Sequence, residues 1–338
     1  MKKITFTMRY GFIVIAAALA VNFTACKKEA ERPTETPVVK PNLVFYAITA
    51  SGQLSKYNSN AAESAITAVS LSGLQPGEKI LGIDFRPATG ELYGLGSTSR
   101  LYIINISTGS SRVVGDAPFS PALNGTVAGF DFNPTVDRIR IVTSTGQNLR
   151  LNPETGTVAA TDGNINGAAG AFVSGVAYTN SIAGAAATTL YDIDVTTQKL
   201  YKQTPPNNGT LVEVGNLGVM PTGEAGFDIS PDGTVALASM NVAGKSSLFQ
   251  VDTLTGMAVK LGDFASAVNG IAIPTNPVAY ANDEMNNLLI FDPSITGTPV
   301  SKMITGLMVG ESIFGIDFRP LNGQLFALGS AGNLYTLN

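Results

Sequence analysis

The chain has no histidine, no tryptophan and a single cysteine, Cys26. Without imidazole it can build neither a histidine-dependent nucleophile triad nor a histidine metal site. With one thiol it has no cysteine cluster for zinc and no internal disulfide. Any catalysis would have to rest on carboxylates, lysine, tyrosine or hydroxyls. Charge is also scarce: 14% of residues are charged against 44% hydrophobic, and no long stretch carries the 3.6-residue apolar period of a surface helix. The net charge of -4, with no basic stripe, leaves no electrostatic footprint for nucleic acid, so no nucleic-acid partner is expected. What the chain has in quantity is turn formers, 36 glycines and 18 prolines, which points to an all-β protein.

The N-terminus reads MKKITFTMRYGFIVIAAALAVNFTAC. Lys2, Lys3 and Arg9 precede an apolar run from Gly11 to Val21, the layout of a secretory signal over residues 1–25 and too short a run for a comfortable transmembrane helix. Phe23-Thr24-Ala25-Cys26 resembles a bacterial lipobox, with Phe23 where Leu or Val is usual, so Cys26 is the expected lipidation site and the membrane the expected partner of that lipid. A plain secretory signal with an incidental cysteine is the second reading. Residues 26–41 are polar, charged and rich in proline and read as a tether. Lys27, Lys28 and Glu29 resemble charged export signals of surface lipoproteins in Bacteroidetes. The expected address is the cell envelope, an outer-membrane lipoprotein exposed at the surface, with a secreted protein as the alternative.

From Asn42 onward one phrase recurs. GIDFRPATGELYGLGS from Gly82 and GIDFRPLNGQLFALGS from Gly315 agree at 11 of 16 positions. Looser copies place their motif glycines at Gly129, Gly175, Gly226 and Gly270, so that successive steps are 47, 46, 51, 44 and 45 residues. That period is one propeller blade of four antiparallel strands. A first strand stops at a proline-glycine turn, as in Arg86-Pro87-Ala88-Thr89-Gly90. A second follows, as in Glu91 to Ser97, then a third and a fourth across polar loops and further glycine turns. The chain shows six first, seven second, seven third and six fourth strands, because Leu43 to Asn58 and Pro277 to Asp292 both match second and third strands. The expected fold is therefore a β-propeller of four-stranded antiparallel blades. It has six blades if the N-terminal strands complete the last one, and seven if both terminal blades are short.

GIDFRPATGELYGLGSTSRLYIIN, FDFNPTVDRIRIVTSTGQNLRLNPETG and TTLYDIDVTTQKLYKQTPPNNGTLVEVGNLGV together resemble the bacterial family known as domain of unknown function 4394. The likeness covers residues 42–274, and residues 278–338 look like the start of the same unit again. It implies a propeller-like, secreted or envelope-attached protein in residues 42–338 and supplies no catalytic residues.

Asp84, Asp131, Asp228 and Asp317 occupy one place in four motif copies. If first strands line a central channel, these carboxylates could ring its mouth and suit a hard cation such as Ca²⁺. Otherwise each accepts hydrogen bonds from amides of its own turn or of the neighbouring blade, the blander role of a residue repeated with the blade. Arg86 and Arg319 follow two of these acids and fit either an anion or local ion pairs. A glycosidase would need two carboxylates about 5 to 9 Å apart; Asp116, Asp162, Glu224, Asp263, Asp283 and Glu284 lie in loops, with nothing in the sequence to pair them. Tyr93, Tyr102, Tyr191 and Tyr201 fall at strand positions that are aliphatic or Phe elsewhere and read as core. The repeat symmetry breaks in the loops Gly115–Gly129, Thr161–Gly175, Asn180–Thr189 and Gln203–Thr210, where binding residues tend to sit. The favoured function is a non-enzymatic envelope lipoprotein that binds a protein or glycan through one face, with no cofactor unless the acids hold Ca²⁺. A carboxylate- or tyrosine-dependent enzyme acting on polysaccharide and a purely structural envelope component are the alternatives.

Overall fold

A computed structural model of the protein describes Thr5 and residues 39–337; the signal segment, Cys26 and most of the tether lie outside the described residues. The rest is β-structure, with a single 3-10 turn at Pro206–Asn208. The strands follow the turn chemistry. Between the first two strands of the motif, for example, the Gly90 N–H returns to the Arg86 carbonyl at 2.8 Å, and Gly90 adopts φ 72°, a left-handed conformation that glycine takes without strain.

Strands β1 (Val44–Thr49), β2 (Gln53–Asn58) and β3 (Thr67–Ser70) come first. Four complete runs follow: β4 (Ile80–Phe85) with β5 (Leu92–Gly96), β6 (Arg100–Ile104) and β7 (Ser111–Val114); then β8 (Ala128–Asn133), β9 (Arg138–Thr143), β10 (Asn148–Leu151) and β11 (Val158–Thr161). The next are β12 (Val173–Tyr178), β13 (Leu190–Asp194), β14 (Lys199–Gln203) and β15 (Leu211–Asn216), and β16 (Pro221–Ile229), β17 (Ala236–Val242), β18 (Lys245–Val251) and β19 (Ala258–Asp263). After β20 (Val268–Ala272) come β21 (Ala279–Asn282), β22 (Asn287–Phe291) and β23 (Val300–Met303), then β24 (Ile313–Arg319), β25 (Gln324–Gly329) and β26 (Leu334–Leu337). All strand pairings within these sheets are antiparallel, which makes the protein a β-propeller.

Among the described residues there are seven sheets, the larger of the two numbers expected, and every class of strand occurs as often as the sequence indicates. Their assembly differs from the expectation. Five sheets have four strands and two, β21-β22-β23 and β24-β25-β26, have three. The N-terminal strands do not complete the last blade; β1 pairs with β20, with Tyr46 opposite Ala272 and Ala47 opposite Ile271. The ring therefore closes over five blades. Five hydrophobic clusters fill its five gaps, such as Tyr93, Phe130, Phe132 and Ile141 in one and Phe45, Tyr57, Leu237, Phe264 and Ile271 in another. At this closure β1 brings Phe45 and Ile48 into buried contact, where the matching places in β21 hold Ala279 and Asn282.

The motif glycines set the closeness of the ring. A Cβ on Gly82 would lie 2.8 Å from Phe130 Cβ, one on Gly129 2.7 Å from Val176, one on Gly175 2.9 Å from Phe227, and one on Gly226 2.7 Å from the Ile271 nitrogen. Gly270 closes the circle, its Cβ position 3.4 Å from the Gly82 Cα. At this level the axis holds a void of only about 10 Å³, room for one water at most. Gly315, the sixth copy, has no heavy atom within 4 Å of its Cβ position. Gly129→Ala should thus overpack the ring and cost about 1 to 3 kcal/mol, whereas Gly315→Ala should be neutral or slightly stabilising; chemical denaturation of both variants checks the contrast.

Candidate functional site

Two residues beyond the glycine level, Asp84, Asp131 and Asp228 project into the packed axis. Each can offer an oxygen such that the three lie within 4.8 Å of one another, and all three side chains are buried. Their role follows from backbone accounting. Each inner strand carries an amide one residue after the Asp position, in a place from which water is excluded, and a buried amide needs an acceptor. Asp84 accepts from Phe85 of its own strand at 2.7 Å and from Phe132 of the next blade at 2.8 Å. Asp131 accepts from Tyr178 of the next blade at 3.0 Å. Asp228 accepts from Ile229 at 2.6 Å and from Ile273 at 2.5 Å. The two blades that hold Ala177 and Ala272 at the Asp position need none of their own, because Ile229 and Phe85 turn to the Asp of their own strand. Three carboxylates so satisfy five amides, one in every inner strand.

Burial pushes Asp84 and Asp131 well above the usual carboxylate range, and the neighbouring carboxylates push in the same direction while the amides pull back. Asp228 is pushed up to about 7 by burial, against the pull of its two amides. The donor set is all oxygen, as a hard cation requires, but the amide bonds already engage five of the six carboxylate oxygens. The cluster thus fits amide capping better than it fits a cation. Asp317 does not join it: β24 lies outside the ring, and the exposed Asp317 accepts from the Phe318 amide of its own strand, at 2.8 Å.

The more open chemistry lies where the two three-stranded sheets rest on the ring. Arg86, 2% exposed, donates from Nε to both oxygens of Asp137 at 2.9 and 3.1 Å, and its guanidinium also pairs with Glu154 at 3.3 Å. Burial works against its charge, but Asp137 and Glu154 hold it protonated. Burial raises Glu154, and Arg86 opposes that shift. The C-terminal sheets are fastened here: Arg86 donates to the Gly323 carbonyl at 3.4 Å, Tyr280 to Ala88 at 3.0 Å, and Arg112 to the carbonyls of Pro320 and Leu321. Between ring and sheets remains a cleft of about 320 Å³. Its apolar wall includes Tyr280, Leu288, Ile290 and Phe318, with the Tyr280 and Phe318 rings packed edge to face at 5.0 Å. Arg138 and Lys302 also line it, and among the described residues neither has a carboxylate at ion-pair distance. A larger depression, about 520 Å³, lies along β6 beside Pro320 but presents only the Glu91–Arg112 pair as charged groups.

Of the residues singled out by sequence, Arg86 is an ion-pair centre and Arg319 is exposed. Tyr93, Tyr102, Tyr191 and Tyr201 are buried in the core. Asp162 joins Arg140 and Arg150, Asp263 joins Lys260, and Asp283 caps its own turn through the Asn287 amide. The cleft residues Asp137, Arg138, Glu154, Tyr280 and Lys302 carry no motif. The one local signal is Asp137, at φ 48° in a turn where glycine would be easier.

The raised acids have a measurable consequence. A carboxyl whose folded value exceeds its unfolded 3.8 stabilises fully below the unfolded value, and that stability is lost as pH rises through the folded one. Between about pH 6 and 8 the depressed carboxylates such as Glu78 and Asp232 are already ionised, so the melting temperature should fall across that window. Asp228→Asn, which keeps an acceptor oxygen at the axis but removes the carboxyl that titrates there, should flatten the fall. Asp84→Ala, which orphans two amides, should cost about 2 to 6 kcal/mol at either end of the window.

The family model described as Domain of unknown function (DUF4394) matches residues 53–272 and 287–338. No curated protein matches the chain. A solved structure titled "Structure of Dos1 propeller" aligns over 88% of this chain and 84% of that one, at 11% identity and a TM-score of 0.37, a likeness too distant to carry any argument. With its model spanning most of the chain in two segments, the protein belongs to the DUF4394 family.

Proposed function

We propose that the protein is a non-catalytic binding scaffold of the cell envelope, held by a lipid on Cys26. Its partner, an acidic glycan or an acidic segment of a protein, docks in the cleft between the ring and the C-terminal sheets. The observation that carries this reading is the cleft's composition: an aromatic and aliphatic wall beside two cations, Arg138 and Lys302, neither of which has a carboxylate at ion-pair distance among the described residues, although Arg138 is near enough to Glu154 to lower it. Such a combination binds through apolar contact and orients through charge. It also lies where the repeat's symmetry is broken, at the two three-stranded sheets that stand outside the ring of four-stranded ones. The cleft's own carboxylates, Asp137 and Glu154, are both engaged by Arg86, so neither is placed as a free acid or base. The address rests on the signal-like N-terminus, the lipobox-like Phe23 to Cys26 and the tether after it.

Thermal-shift and calorimetric titration against uronic-acid oligosaccharides and acidic peptides should find a binder. Arg138→Glu with Lys302→Glu should weaken it at least about tenfold without lowering the melting temperature comparably. If no acidic ligand binds, or the double variant binds equally well, the assignment of the cleft fails. Cys26→Ser should move the protein from the membrane fraction to the soluble one, and continued membrane attachment would refute the lipid anchor.

A further inference from the structure

The ring closes on β20, and the chain contains a second sheet that resembles the one closing it. Leu43 to Asn58 and Pro277 to Asp292 superimpose in register at an offset of 234 residues: Tyr46 and Tyr280, Ala47 and Ala281, and Leu54 and Leu288 fall on one another. The correspondence is structural as well. Phe45 pairs with Tyr57 as Ala279 pairs with Phe291. The turns match in detail: Gly52 and Asn286 both take left-handed φ, 78° and 62°. Thr49 Oγ1 accepts the Gln53 amide at 3.1 Å as Asp283 Oδ1 accepts the Asn287 amide at 2.8 Å. A third strand follows each pair, β3 and β23.

One of these sheets, β1-β2-β3, has β20 along the free edge of its β1. The other, β21-β22-β23, has β21 as an edge strand, with no strand among the described residues hydrogen-bonded to its outer side. It is also the sheet that chain connectivity favours. In the other blades the first strand runs directly into the second: eight residues separate Asp84 from its partner Tyr93, and eight separate Asp228 from Leu237. Seven separate Ala272 from Tyr280, the residue that occupies Tyr46's place. A β20-β21 hairpin of the ordinary blade kind is therefore within reach of the chain. Such a hairpin excludes β1 from the same edge.

We infer that β1-β2-β3 and β21-β22-β23 are alternative partners of β20, so that the ring can exchange one closing sheet for the other without opening. The resting pairing wins because Phe45 and Ile48 bury more apolar surface than Ala279 and Asn282. Exchange releases β1-β2-β3 from the ring. It also withdraws Tyr280, Leu288, Ile290 and Lys302 from the cleft. If the cleft is the binding site, a bound partner holds the resting pairing and loss of the N-terminal sheet discharges the partner. That last consequence rests on the function proposed above; the exchange itself does not.

The test uses the full chain in a Cys26→Ser background, with two engineered thiol pairs. Ile271→Cys with Ala47→Cys reports the resting pairing, and Ile271→Cys with Ala281→Cys reports the exchanged one. Under mild oxidation the first pair should close quickly. The second should close slowly within monomers, leaving a cooperatively melting protein in which residues 39–70 have become sensitive to protease. Adding Phe45→Ala should speed the second closure at least about tenfold, since a buried Phe is worth more than one factor of ten. In parallel, hydrogen exchange of the unmodified chain should show β1 to β3 opening as a group while β20 and β4 to β19 stay protected. The inference is overturned if the second pair fails to close, closes only between chains or only in protein that no longer melts cooperatively, or if β1 exchanges at the same rate as β20. None of these outcomes depends on a ligand, so failure here and failure of the cleft assignment are distinguishable.

Discussion

Five strands converging on one axis leave five amides where water cannot reach them, and the rest of the molecule is arranged around satisfying those amides. Glycine at five places lets the strands approach to within contact of the next blade's backbone. That approach dries the axis, and a dry amide without an acceptor costs about 1 to 3 kcal/mol. Asp84, Asp131 and Asp228 supply the acceptors, each joining its blade to the next. The burial that makes these bonds strong also raises the acids, so the interaction that closes the ring brings with it a dependence on pH.

The C-terminal sheets show how far the same residues depend on context. Asp317 and Gly315 repeat the letters of Asp84 and Gly82, yet one is exposed and the other has open space at its Cβ position, because no blade packs against it as the next blade packs on Gly82. Relieved of the ring, this half-repeat uses its surface differently. Tyr280, Phe318 and Gly323 seat it on the turns after the ring's first strands, where buried Arg86 anchors it. A cleft with its own charge follows from the misfit between a closed ring and a unit that is not part of it.

Much of this was legible in the sequence, and the limit of legibility has a physical cause. The spacing of Gly82, Gly129, Gly175, Gly226 and Gly270 gives the blade, and proline-glycine turns give its strands, because both are local requirements on φ and on close approach. The amide-capping role of Asp84 was among the readings the repeat suggested. What could not be read was the partner of β20. Leu43 to Asn58 and Pro277 to Asp292 are both plausible closers, and where Phe45 and Ile48 stand against Ala279 and Asn282 the difference is one of packing at the seam with β20, which no local motif marks. The convergence of three acids followed from the number of blades, and the cleft followed from where the spare sheets came to rest. Asp137 and Glu154 meet Arg86 across 51 and 68 residues of chain, a distance at which no motif speaks.

The central claim is that three aspartates satisfy one amide in each of five strands, and it is open to direct observation. Scalar couplings across hydrogen bonds, measured by NMR on deuterated protein, should connect the amides of Phe85 and Phe132 to the Asp84 carboxyl carbon, that of Tyr178 to Asp131, and those of Ile229 and Ile273 to Asp228. Five such couplings, on amides strongly protected from exchange, are the expected result. Couplings absent on amides that exchange rapidly with solvent would contradict the closed five-bladed ring.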